Sequence, residues 1–331
     1  MFKTLILCLS VVFCLASWVR ADDHLLYFEA QGIGGYSSDL NKGIFYSQNP
    51  DAEMQHPSLG FDYIKRFSNE SGDFLTFALQ ARLAIMVDPT KDETEVKLQP
   101  QIYNAYLKLK TPGPYVWVGH YRPAFGLSSY LDSHALLLRT LAIQGFGYDR
   151  DWGVGLYKDF SWGDIAATAT TGSGMPVYFR GNYMAAARAS YGVLSKDNYS
   201  FGVSLGYGDT MDTMGYTLFT HDPLLMRLVG VDGTLLMNNL EHRAEFEAGK
   251  WLNKQTYAGL YRFGINLDPE NRLKLEAQPM LWKTGSERNF QMSFCFSFLA
   301  TADLTLRLGY TYDYKTSDNL FALQLYYYRK I

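Results

Sequence analysis

The chain has 331 residues, 47% of them hydrophobic and 16% aromatic, with 25 tyrosines and 21 phenylalanines. Its 30 basic and 33 acidic residues give a net charge of −3, and this mixed, mildly acidic balance excludes a nucleic-acid binder. No run of about 18 apolar residues follows the N-terminal stretch, so helical membrane spans are excluded as well.

The first 21 residues read as a secretory signal peptide. Lys3 supplies the positive start, Leu5 to Ala16 is mostly apolar, and Val19-Arg20-Ala21 sets small residues at the cleavage position. Cleavage there removes Lys3 and Arg20, leaving 28 basic against 33 acidic residues and a net of −5. Cys8 and Cys14 leave with the signal, so the lone Cys295 has no partner for an intrachain disulfide. Residues 22–331 then form one domain, since all-β barrels of this size are single units.

From there the chain alternates. Leu75, Phe77, Leu79, Ala81, Leu83, Ile85 and Val87 alternate with Thr76, Gln80 and Arg82. Phe290, Met292, Phe294, Phe296 and Phe298 alternate with Gln291, Ser293, Cys295 and Ser297. Such a period of two is that of strands, one face apolar and the other small, polar or charged. Long apolar faces opposite a wet one fit a barrel with lipid outside and water within. The tyrosines fit interfacial girdles. The fold class predicted is all-β, a transmembrane antiparallel β-barrel.

Sixteen runs qualify, at 25–35, 58–67, 74–87, 95–110, 115–122, 152–160, 163–171, 183–192, 199–208, 226–233, 238–249, 256–267, 272–283, 289–299, 303–314 and 319–330. Fourteen strands is the alternative count. The stretch Leu224 to Gly249 reads either as two strands turning near Gly233 or as a strand and a helix. The longest gaps, 36–57, 123–151, 172–182 and 209–225, all follow odd-numbered strands and therefore share one side. Short turns such as Thr111–Pro114 and Ser161-Trp162 lie on the other. Long loops outside and short turns in the periplasm are the habit of outer-membrane barrels.

The 123–151 gap is the third external loop. It holds Leu136, Leu137 and Leu138 beside Arg139, Asp149, Arg150 and Asp151, too much apolar surface for a solvated loop. We expect it to fold inward at the barrel mouth, with Arg150 pinning its return to the wall by ion pairs or standing in a solvated turn. Val118-Gly119-His120-Tyr121-Arg122-Pro123-Ala124-Phe125-Gly126, followed by Tyr148-Asp149-Arg150-Asp151-Trp152-Gly153-Val154-Gly155, resembles the phosphate-selective porin O and P family. The extra Ala124 departs from that pattern. The resemblance implies a sixteen-stranded trimeric porin. It does not imply phosphate as the solute, because no arginine ladder is present.

On the strand faces so assigned, Arg82, Arg188, Arg243, Arg262, Lys274 and Arg307 face the lumen with Glu241, Glu245, Glu247, Glu276 and Asp313. Arg122 and Arg139 lie near or on the long loop. We take Arg82, Arg122, Arg139, Arg188, Arg243, Glu245, Arg262 and Arg307 as the pore-lining set. Opposed charges across a narrow pore sort ions, and the alternative for each residue is a cross-strand ion pair that stiffens the wall. His134 on the loop is a further candidate contact. The histidines show no metal spacing, Asp209–Asp212 matches a calcium loop poorly, and no Ser-His-Asp arrangement stands out. No cofactor is expected.

The expected function is a passive outer-membrane channel for small hydrophilic solutes or ions, not an enzyme, working among outer-membrane lipids as a homotrimer. A barrel-embedded hydrolase and a plugged structural or adhesive barrel are the competing readings. The chain ends Tyr326-Tyr327-Tyr328-Arg329-Lys330-Ile331, a variant of the aromatic ending common in such barrels.

Overall fold

In the computed structural model, residues 24–70, 72–87, 96–131 and 136–331 are described. The expected signal peptide, residues 1–21, and His134 lie outside those residues. Among them, sixteen long strands form one antiparallel barrel, numbered here β1 His24–Ser37, β2 Ser58–Asn69, β3 Gly72–Val87, β4 Val96–Leu109, β5 Tyr115–Tyr121, β6 Asp151–Phe160, β7 Gly163–Thr170 and β8 Tyr183–Tyr191. The second half comprises β9 Tyr199–Thr210, β10 Leu224–Met237, β11 Leu240–Trp251, β12 Lys254–Asn266, β13 Leu273–Thr284, β14 Glu287–Leu299, β15 Leu304–Asp313 and β16 Asp318–Lys330. Each strand pairs with its sequence neighbour, and β1 pairs with β16 from Tyr27↔Lys330 to Ser37↔Leu320. That last pairing closes the sheet and leaves no unpaired edge.

The alternation in the sequence becomes two faces. Leu59, Leu98, Val203, Leu205, Val229, Leu308 and Leu323 are exposed on the outside. Glu29, Gln31, Gln80, Arg82, Ser204, Glu245 and Gln324 are buried on the inside. Exposed apolar side chains on every strand are a liability in water and the expected surface in lipid. No helix among the described residues is long and apolar enough to cross a membrane.

The connections separate by length, as the sequence implied. Residues 38–57, 122–150, 171–182 and 211–223 leave one end of the barrel, while 161–162 and 238–239 turn tightly at the other. The uncertain stretch resolves into β10 and β11, which turn at Asn238-Asn239 rather than near Gly233. The long-loop end also has a tight turn at Leu252-Asn253, where φ values of 49° and 63° match the paired positive dihedrals of a two-residue hairpin turn. One irregularity matters for the interior. Gln80 pairs with Asn104 but Ala81 with Ile102, so Tyr103 is an extra residue in β4. Such a bulge re-aims a side chain, and Tyr103 is buried at 1% exposure.

Candidate functional site

The site is built on the connection 122–150, which is tied to inner-face residues at both backbone and side-chain level. Pro123 has no N–H to continue the ladder of β5. The Ala124 N–H donates to Thr168 Oγ1 at 3.1 Å, and the Gly126 N–H to Ser204 Oγ at 3.0 Å. Gly126 has φ 61°, ψ −164°, a region that belongs to glycine, and an added Cβ would stand 2.1 Å from Glu245 Oε1. Phe125, Leu127, Leu141, Phe146 and Tyr148 pack with Met184, Met226, Leu228, Trp251, Leu260 and Met280 from the wall. Leu137 and Leu138 pack with Ile33 and Cys295. Leu137 and Leu138, two of the three leucines that made this stretch too apolar for a solvated loop, thus find their cover.

Three further side chains from the wall hold its backbone. Glu245 accepts from the Leu127 N–H at 2.7 Å and from the Leu141 N–H at 3.4 Å. Arg262 donates to the Leu138 and Arg139 carbonyls at 3.0 and 3.3 Å, and Gln278 to the Arg139 carbonyl at 3.0 Å. Glu245, Arg262 and Arg139 are each about 3% exposed. Arg139 donates in turn to Gln48 Oε1 and Gln291 Oε1. Burial, eased by the charge of Asp313, lowers the pKa of the Arg139 guanidinium to about 9. Between these anchors runs one short helix, Leu141–Gln144, with Thr140 as its N-cap and left-handed Gly145 as its C-cap.

The return to the wall is buried, and a solvated turn is ruled out. Arg150 pairs with Asp149 at 3.0 Å, lies 4.1 Å over the Tyr103 ring and donates to Asn104 at 2.9 Å. Tyr103 Oη donates to Asp149 at 2.7 Å, which is the use made of the bulge in β4. Asp151 takes a different part from the ion pair expected. It accepts from the backbone N–H groups of Gly172 and Gly174 at 2.7 and 3.1 Å and from Thr171 Oγ1 at 2.8 Å, so it organises the neighbouring loop.

The remaining residues of the predicted set are held elsewhere. Arg188 makes a two-pronged pair with Asp232 at 2.7 and 3.0 Å and lies 4.6 Å over the Tyr130 ring. Arg243 pairs with Glu241, which also receives Lys274 at 3.0 Å. Arg82 donates to Gln101 at 2.9 Å, and Arg307 to Gln324 at 2.8 Å. Arg122 and Tyr121 line two adjoining cavities, a polar one of about 360 Å³ and one of about 260 Å³ with a mixed lining. The structure brings Arg139, Glu245 and Arg262 together, whereas the sequence reading placed Arg139 on the loop and the other two among the charges of the wall. That reading missed Asp232, although that residue falls in register with inward Leu228 and Gly230. It also missed the uncharged holders Ser204 and Gln278, whose types carry no signal in a strand. Among the described residues no group of histidine, cysteine and carboxylate side chains is placed to hold a metal ion.

Comparison with known proteins gives the fold a context. No family model matches the chain, and no curated protein sequence matches it. Solved structures do. OmpF of Salmonella typhi, in complex with daunomycin, aligns with a TM-score of 0.66 at 10% identity, over 92% of this chain and 97% of that one. An anion-selective porin from Comamonas acidovorans gives 0.62 at 8% identity, over 93% and 99%. OmpT of Vibrio cholerae, in trimer form, gives 0.59 at 12% identity, over 93% and 100%. The chain therefore has the barrel of outer-membrane porins. A closed barrel of this kind, apolar on its outside, resides in the outer membrane.

Proposed function

We propose that the chain is an outer-membrane porin through which small hydrophilic solutes or ions diffuse, and that residues 123–151 fold into the barrel as its constriction. The observation that carries this reading is asymmetry. The middle of the long connection, from Gly126 to Arg139, is bound to the wall formed by β9 to β13 through Ser204, Glu245, Arg262 and Gln278, and its two ends are held by Thr168 on β7 and by Tyr103 and Asn104 on β4. A polar cavity remains on the other side, against β2 to β5 and β16. A water path on that side would pass Arg122, with Arg82 and Arg307 on the same wall. Arg139, Glu245 and Arg262 would fix the width of the opening, and Arg188 and Arg243 would stiffen the wall with their carboxylate partners. The mechanism is a wet lumen, a fixed constriction and a charged lining, with no covalent step and no cofactor.

This reading includes a signal peptide at 1–21, outer-membrane lipids around the barrel and a homotrimer, for which the trimer form of the Vibrio cholerae neighbour is the support. The resemblance to the phosphate-selective family supports the barrel and carries no phosphate specificity. A plugged barrel is the second reading. It is favoured by Ser47, His56, Ser173 and Met211, which come from the other three long connections and are also fully buried.

Single-channel recording of the refolded mature chain in a planar bilayer separates the two. Discrete conductance steps are expected under a potassium chloride gradient, and the sign of the reversal potential gives the charge preference. Folded, heat-modifiable protein that gives no steps would overturn the channel.

A further inference from the structure

Tyrosine is abundant in this chain, and the barrel puts it in two places. Tyr36, Tyr183, Tyr191, Tyr207, Tyr257 and Tyr261 are exposed on the outside, as an interfacial girdle requires. Tyr106, Tyr121, Tyr326 and Tyr328 are not part of that girdle. All four line the 360 Å³ cavity inside the barrel, and all four are only half-buried, so ring surface is left open to it.

The rings form two groups from separate strands. Tyr326 and Tyr328 follow each other on β16 with centroids 6.2 Å apart and planes 12° apart, and Tyr27 stacks on Tyr328 at 4.7 Å. From β4 and the end of β5, Tyr106 and Tyr121 meet at 4.2 Å, with Trp117 edge-on to Tyr121 at 5.5 Å. Polar groups of the same cavity are already fixed by a network. Tyr328 Oη donates to Asp62 at 2.9 Å, Asn104 Nδ2 to Gln80 at 2.7 Å, and Arg150 Nε to Asn104 at 2.9 Å. One carboxylate, Asp62, and one guanidinium, Arg122, line the cavity, so its formal charge is balanced.

We propose that this cavity is a binding site for a neutral, polyhydroxylated ring solute, a mono- or disaccharide. The proposal rests on the channel reading and names a solute class for it. A sugar ring offers C–H groups on its faces and hydroxyls around its edge. Aromatic faces cover the first, and a preorganised set of amide, phenol and carboxylate groups exchanges hydrogen bonds with the second. Balanced charge gives a neutral solute no disadvantage against ions. The volume lies near the lower end for small-molecule sites, which suits a short sugar.

The test is ion current through the bilayer-inserted protein, with maltose added on one side. Binding inside the path gives a saturable fall in current. Polyethylene glycol of similar size gives only the linear fall of a crowded solution. Replacing Tyr106→Leu or Tyr326→Leu should each raise the half-blocking maltose concentration by about fivefold, the loss expected of one aromatic contact. Tyr207→Leu, on the outside, should leave the block as it is. A maltose effect no different from that of the polymer, or equal block in both inner variants and the parent, overturns the proposal. Block by choline in place of maltose overturns it too, because the rings would then be reading a cation. If no current is seen at all, the channel reading fails by itself. Calorimetric titration of maltose into the detergent-folded protein then decides the site. A saturable heat that Tyr106→Leu weakens supports it, and no heat overturns it.

Discussion

Replacing Glu245→Ala tests how the long connection is held. Glu245 gives one carboxylate oxygen to the Leu127 N–H and the other to the Leu141 N–H, 14 residues further along. Leu127 and Leu141, which carry these N–H groups, belong to a buried apolar cluster. Leaving one such donor unsatisfied costs about 1–3 kcal/mol, so two cost about 2–6 kcal/mol. At 1.4 kcal/mol per tenfold, the balance between seated and released connection shifts by roughly 30-fold to about 10⁴-fold. The barrel ladder is untouched, so the loss is local. Glu245→Gln keeps one accepting oxygen and should fall between the two. Hydrogen exchange at the Leu127 and Leu141 amides reads the release directly, and conductance histograms read its consequence. The alanine variant should exchange faster and give broader, larger steps. Unchanged exchange at both amides would refute the anchoring role.

Other expectations follow from the same geometry. Gly126→Ala should unseat residues 124–128, since the new Cβ meets Glu245 2.1 Å away in a backbone region costing about 1–3 kcal/mol. The check is protease sensitivity at those residues, with the barrel still heat-modifiable. Arg188→Ala leaves the buried Asp232 carboxylate without its partner and should cost about 3–5 kcal/mol, read as a lower temperature for loss of the folded band on gels. His56, buried in the 38–57 connection, has its pKa lowered from 6.5 to about 4 by burial, with the charge of Arg82 adding to the effect. Because this base is neutral when seated and protonates more readily when released, its contribution is full above about pH 6.5. It is lost as pH falls toward 4, by about 3 kcal/mol at 1.36 kcal/mol per unit. Amide protection over residues 46–56 should therefore fall on acidification, and His56→Gln should flatten that dependence.

All sixteen strands were legible in the sequence because one physical requirement, lipid on one face and water on the other, imposes a period of two along each of them. The side on which the long connections emerge was legible too, since hairpins alternate ends. The turn of β10 into β11 was not. Gly233 looks like a turn residue, yet it continues an alternating strand, and the paired asparagines five residues on carry the reversal. In residues 122–150 the leucines announced burial, but their partners are spread over strands from β1 to β14, and no local pattern encodes such distant contacts. The bulge at Tyr103 was invisible for the same reason. Its side chain is re-aimed by a register shift toward Asp149 and Arg150, at least 46 residues away. The tyrosines were read as belonging to interfacial girdles, and those inside the barrel were not foreseen, because composition does not say which face a ring occupies.

The central proposal is that residues 123–151 lie inside the barrel, and a disulfide tether tests it most directly. An ideal Cβ at Gly309, on the inner face of β15, stands 3.9 Å from Leu137 Cβ, close to the mean separation of about 3.8 Å across a disulfide. With Cys295→Ser in the background, the pair Leu137→Cys and Gly309→Cys should oxidise within the folded, membrane-inserted protein. The product should migrate differently on non-reducing gels and revert with reductant. Failure of the two thiols to join in heat-modifiable, folded protein would contradict the account.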